Sequence, residues 1–229
     1  MDFANVKSIT IPEGNVKKIT CGSVVLWESG GLPSEYQRVE WISDVIDGVA
    51  YIDLGFAFDK GAVIKTNFIA HNSSGHPFGS AENSGIYRCM ISQTGSGNYT
   101  IYGSNGSAYI AEGMGSLGSE VNFVYTIKKN KCFVEELITG VKKENITTQI
   151  EYTMTNNLLL FAQNYNGTPR FAGTYSFKTF QYYDNDDNLI CDLIPCYRKS
   201  DGVIGMYDVV RKIFLTNAGA GSFAKGADV

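Results

Sequence analysis

Between Cys191 and Asp208 the sequence reads CDLIPCYRKSDGVIGMYD, which gathers two cysteines, a basic pair and a serine beside an aspartate. Two thiols within reach of each other would form a disulfide or hold a metal, and a serine beside a base would be a nucleophile. Extended backbone argues against the first. Alternate residues of a strand share a face, so Cys191, Leu193, Pro195 and Tyr197 look one way and Asp192, Ile194, Cys196 and Arg198 the other. At about 3.3 Å per residue the cysteines stand about 16 Å apart on opposite faces. Ser200 has no neighbouring base, and Ser200-Asp201-Gly202 is turn chemistry: the aspartate bonds back to the backbone and the glycine accepts positive φ.

Other stretches that could do chemistry meet similar objections. GMGSLG, Gly113 to Gly118, has dinucleotide-loop spacing, but a helix must follow to take the pyrophosphate and SEVNFVYTI reads as a strand. DNDDN, Asp184 to Asn188, opens like a calcium loop, yet the sixth and twelfth positions carry Leu189 and Pro195 instead of Gly and Glu. It reads as a hairpin tip, with an adventitious surface calcium ion as the minor alternative; no other cofactor or metal is expected. His71 and His76 flank a polar loop with no Asp or Cys close enough in sequence to complete a metal set or triad.

The remaining constellation is polar and aromatic. Sugars are held by flat rings against their C–H faces, with amides and guanidinium groups reading hydroxyls. AQNYNGTPR supplies Asn164, Tyr165, Asn166 and Arg170; GNYTIYG supplies Asn98, Tyr99 and Tyr102; the histidine loop adds His71, Asn72 and His76. Asn, Gly and Tyr are also the ordinary content of β-turns and strand edges, so a structural reading stands beside the binding one.

The elements that must position these residues are strands. Among 229 residues, 25 Gly, 14 Tyr and 13 Phe favour strands joined by tight turns. Short apolar-alternating runs bounded by Gly, Ser and Asn recur from Tyr36 onward. LLLFAQ, Leu158 to Gln163, is apolar on both faces and belongs mid-stack; HNSSGHPFGSAENSG reads as a long loop. Met206, Val209, Val210, Ile213 and Phe214 have helical spacing, but the window is short and β-rich, which favours strand-turn-strand. So many antiparallel strands must bury their apolar faces in a two-sheet sandwich or a barrel.

Residues 1–29 form a separate leader of short strands, Val6 to Ile11, Val16 to Cys21 and Val24 to Trp27, too small to be stable alone. The sandwich occupies 30–229. A net charge of −4 argues against nucleic acid, and neither a signal peptide nor a membrane-spanning apolar run is apparent. The expected site of synthesis is a cytoplasm. Five cysteines at irregular spacing read as reduced core residues.

LPSEYQRVEWI with AYIDLGF, the stretch from NNLLLFAQ to GMYD, and the closing KIFLTNAGAGSFAKG resemble concanavalin A-like (laminin G-like) jelly-roll domains of phage and prophage tail proteins. The opening MDFANVKSITIPEGNVKKITCGSVVLWES is similar to the short leader of many such proteins. The resemblance implies an all-β antiparallel jelly-roll sandwich after a small β-strand module. It also implies a receptor-binding or structural role in a virion, with a host-surface glycan or another tail protein as partner. Trimers are common among tail spikes and fibres; no heptad repeat indicates the oligomer here. Glycosidases of this fold carry Glu-x-Asp-x-Glu on one strand, a run absent here, so the expectation is a non-enzymatic protein. A purely structural particle protein and a hydrolase with another acid pair are the alternatives.

Overall fold

The computed structural model describes residues 18–21, 24–28, 31–44, 49–59, 61–71, 75–82, 87–93, 98–104, 109–116, 120–128, 131–136, 140–146, 154–170 and 174–229. Two compact units divide the chain, Met1–Gly31 and Leu32–Val229. In the first, β1 (Lys18–Cys21) and β2 (Val24–Glu28) pair antiparallel, with a register shift between Ile19 and Thr20. The expected strand Val6 to Ile11 lies outside the described residues.

The second unit begins with β3 (Tyr36–Arg38), β4 (Ile42–Asp44), β5 (Ile52–Ala57), β6 (Val63–Ala70) and β7 (Gly75–Glu82). It continues through β8 (Tyr87–Gln93), β9 (Asn98–Ser104), β10 (Tyr109–Ser116), β11 (Glu120–Lys128), β12 (Lys131–Glu136) and β13 (Lys142–Ile146). It ends with β14 (Asn157–Leu160), β15 (Gln163–Tyr165), β16 (Thr168–Arg170), β17 (Tyr175–Tyr183), β18 (Leu189–Arg198), β19 (Ile204–Asp208), β20 (Ile213–Thr216) and β21 (Phe223–Lys225).

These strands build the expected all-β sandwich. One sheet runs β10-β9-β8-β7-β14-β5, with β15 and β16 beside β7. The other runs β13-β12-β11-β6-β17-β18-β19-β20. Where β17 and β18 diverge, residues 36–44 fill the fork: β4 pairs Ser176 and Phe177, and β3 pairs Cys196 to Arg198. The strand-turn-strand expectation over 204–216 holds, because β19 and β20 pair antiparallel.

The core lies between the sheets. Phe78 of one sheet meets Phe180 of the other at 6.0 Å between ring centroids, and Phe68 meets Tyr99 at 6.4 Å. Each such ring contributes roughly 1.5–3 kcal/mol by leaving water. Side contacts close one flank: Arg211 Nη1 donates to Leu54 O (2.6 Å), and Ala218 N donates to Tyr51 O (2.8 Å). The last residues run back along the start of the unit, with Val229 N donating to Arg38 O (3.1 Å) and Glu40 N to Ala227 O (3.0 Å).

Two expectations need correction. Leu158 to Gln163 is not one strand. β14 does lie inside its sheet, but the chain reverses at Phe161, whose φ is +66°, and β15 returns parallel to β7. Phe161 is buried against Phe177 (4.8 Å) and Phe223 (4.9 Å), and that packing holds a conformation a bulky residue otherwise avoids. The second correction concerns the histidine loop, half of which is the fully buried strand β7. Its Gly, Pro and Ser disguise it, yet small side chains are what a strand flanked by β8 and the β14–β15 reversal can accommodate.

Candidate functional site

The AQNYNGTPR segment folds into a small hairpin. Tyr165 pairs Thr168, Gln163 pairs Arg170, and Asn166 (φ +49°) with Gly167 (φ +85°) makes the turn. Asn166 N donates to Ala81 O (2.9 Å), which pins the turn to β7. Arg170 is exposed and lies over the half-buried Tyr165 ring at 4.2 Å from its centroid. The two planar groups make a stacked platform whose guanidinium edge carries hydrogen-bond donors. Asn164 points differently: it is buried, and its amide donates to Asn157 O (2.9 Å), so it braces the hairpin.

The β9 residues divide by face. Tyr99 is only 1% exposed and packs on Phe123 at 5.5 Å, so its ring belongs to the core and offers no stacking surface; this corrects its place among the candidates. Asn98 is exposed and Tyr102 half-buried on the opposite face. Register links that face to the hairpin: Tyr102 opposes Met90, Met90 opposes Gly79, and Gly79 opposes Gln163, two residues from Tyr165. Tyr102 and Tyr165 therefore share the outer face of the sheet, three strand steps and two residues along the strand from each other, or about 16 Å apart.

The histidines are not a loop pair. His76 is 8% exposed within β7, its Nδ1 lying 3.3 Å from Ile91 O, which withdraws it from surface binding. His71 is exposed, with Nε2 at 2.7 Å from Ser176 Oγ. That distance suits a nucleophile and base, but Ser176 is 1% exposed, beyond reach of a polymeric substrate. Asn72 lies outside the described residues.

The segment 191–208 is two strands and a turn. Cys191 and Cys196 are free and buried. Burial raises both thiols, Cys196 to about 12, so neither is a nucleophile at neutral pH. Asp201 accepts a fork from Arg198 (Nη2 at 2.7 Å) and Val203 N (3.2 Å), which holds its carboxyl below the usual range. Asp184 accepts from Asp186 N (2.9 Å) and Asn188 N (2.8 Å), as a hairpin tip requires. Among the described residues no cluster of three His, Cys, Asp or Glu is placed to hold a metal.

Sequence reasoning missed a cleft of about 390 Å³ lined by Asp201, Val203, Ile204, Thr216, Ser222 and Phe223. It opens where β20 ends and the chain turns away through Asn217, whose Oδ1 accepts from Tyr51 N (3.1 Å) and Gly219 N (2.8 Å). Two separate turn signals, SDG and NAGAGS, form it, and only tertiary structure brings them together.

No family model and no curated protein matches the sequence. Among solved structures, the chain is similar to mouse laminin alpha1 chain, domains LG4-5, with TM-score 0.47 and 12% identity over 79% of this chain and 48% of that one. It is also similar to full-length tailspike protein 2 (TSP2, ORF211) of Escherichia coli O157:H7 bacteriophage CAB120, with TM-score 0.37 and 10% identity over 67% of this chain and 26% of that one. The chain thus spans about half the length of the first and about a quarter of the second.

Proposed function

We propose that this chain is a non-enzymatic, tail-associated protein of a phage or prophage, whose sandwich binds a carbohydrate of the host surface. The leader, residues 1–29, attaches or oligomerises it within the particle. The leader and closing-segment resemblances support the tail assignment. The binding reading is carried by one observation, the Arg170–Tyr165 stack on the Asn166-Gly167 turn, which sets a flat group and several donors at the surface. Asn98 and Tyr102 extend the same outer face.

Purified protein tested against candidate host cells and their isolated wall glycans, with and without chelator, checks this reading. Binding is expected, independent of chelator. Tyr165→Ala and Arg170→Ala each weaken it about two- to tenfold, the scale of one aromatic or cation–π contact. Absence of binding to every cell and glycan would leave a purely structural role. Release of reducing sugar from a host polysaccharide would instead make the chain a hydrolase.

A further inference from the structure

We infer that the ligand of the Tyr165 platform is an anionic sugar, whose carboxylate or phosphate takes up the open edge of Arg170. The inference rests on the binding reading given above and adds to it the charge of the ligand. Three arginines among the described residues lie over aromatic rings: Arg170 over Tyr165 at 4.2 Å, Arg211 over Phe56 at 4.9 Å and Arg198 over Phe214 at 5.6 Å. The last two carry an internal counterion. Arg211 is bonded to Asp208, and Arg198 forks onto Asp201 with Nη2 at 2.7 Å. Arg170 makes the closest stack of the three, and among the described residues its guanidinium has neither a carboxylate nor a hydrogen-bond acceptor. Neighbouring sequence supplies none: Gln163 to Thr174 contains no Asp or Glu. On β7, Tyr165 is matched by Ala81, and the next residue, Glu82, turns to the other face. There it is buried and accepts from Thr155 N (2.7 Å) and Thr155 Oγ1 (3.1 Å).

The guanidinium is also held in place. Gln163 pairs Arg170 and Tyr165 pairs Thr168, so Tyr165, Thr168 and Arg170 share one face of the hairpin and the arginine crosses the diagonal to the ring. Pro169 fixes the backbone beside it, and Asn166 N on Ala81 O (2.9 Å) anchors the turn. Tyr165 covers one side of the guanidinium and orients it, while the N–H donors along its edge face a ligand. Such a planar fork matches a carboxylate or phosphate through paired, charge-assisted hydrogen bonds, roughly twice as strong as those to a neutral hydroxyl. The exposed Thr168 hydroxyl on the same face reads a neighbouring ring hydroxyl. The chain as a whole carries a net charge of −4, but fields fade over about 8 Å at physiological salt, so the groups beside the turn set the preference.

The test is a ¹H–¹⁵N titration of the full chain with matched sugars, followed at the Arg170 side chain: cellotetraose with its glucuronate counterpart, lactose with sialyllactose, and glucose with its phosphate ester. At least one anionic member is expected to shift the Arg170 Nε–H signal saturably and to bind about fivefold or more tighter than its neutral partner. The carboxylate and phosphate arms separate the two sources of charge. That affinity falls as salt is raised and drops to the neutral partner's level in Arg170→Gln. Arg170→Lys, which keeps the charge and loses the fork, retains only part of it. Unchanged melting temperatures in both variants separate loss of contact from loss of fold. Neutral sugars that bind as tightly as their anionic partners overturn the inference and leave the carbohydrate-binding reading standing. Failure of every anionic member to shift Arg170 also overturns it, and if the isolated wall glycans are unbound as well, the binding reading falls with it.

Discussion

Asp208, fully buried, heads the turn between β19 and β20 and accepts from Val210 N (2.9 Å), Arg211 N (3.2 Å) and the Arg211 side chain. Burial by itself would raise its pKa, but these bonds outweigh it and hold the carboxyl below its ordinary value. A depressed folded-state pKa contributes stability that is complete above the unfolded value of about 3.9 and is lost as pH falls through the folded one. Melting curves from pH 5 to pH 2 should therefore show a shallower decline for Asp208→Asn than for the parent. At pH 7, Asp208→Ala should cost ~3–5 kcal/mol, because it strands a partly buried guanidinium. Thiol labelling checks the cysteines: Cys191 and Cys196 are expected to react only after unfolding, and rapid native labelling of either would contradict their burial. The opposed cysteine faces and the Ser-Asp-Gly turn were legible in sequence, since both follow from local geometry. The division between Tyr99 and Tyr102 was not. NYTIY has no consistently polar face, and which tyrosine turns inward depends on Phe68 and Phe123, remote in sequence.

At the scale of elements, the loop from Asn217 to Ser222 is fixed by close approach. A Cβ on Gly219 would collide with the carbonyl oxygen of Val49, whereas one on Gly140, at φ +71°, would meet nothing within 4 Å. Gly219→Ala is expected to cost about 3 kcal/mol, by overpacking against backbone. Gly140→Ala should cost only about 1 kcal/mol, for its left-handed backbone. Paired thermal melts read the difference, and equal shifts would mean the loop can yield. Hairpins such as β17–β18 were legible because Asp184 to Asn188 carries its own turn chemistry. β7 was hidden, since its Gly, Pro and His obscure strand propensity and only its buried position between β8 and β14 makes it a strand. The reversal at Phe161 was hidden too, because no local signal asks a phenylalanine for positive φ.

At the scale of the molecule, Leu32–Val229 has a core of its own, while β1 and β2 alone make a two-stranded sheet of a kind that is marginal in water. A chain beginning at Leu32 should melt cooperatively near the parent temperature. If the leader mediates self-association, sedimentation should show that same truncation lowering the mass of the particle. Loss of the cooperative melt would show instead that the leader completes the sandwich.

The return of residues 226–229 along residues 37–41 brings the two ends of this unit to one place. A domain whose first and last described strands lie side by side has its ends close together at the surface. It is also a ring cut at an arbitrary point. Joining Val229 to Leu32 through a short glycine linker and opening new ends in the exposed turn at Asn185-Asp186 should yield a circular permutant with the same sandwich.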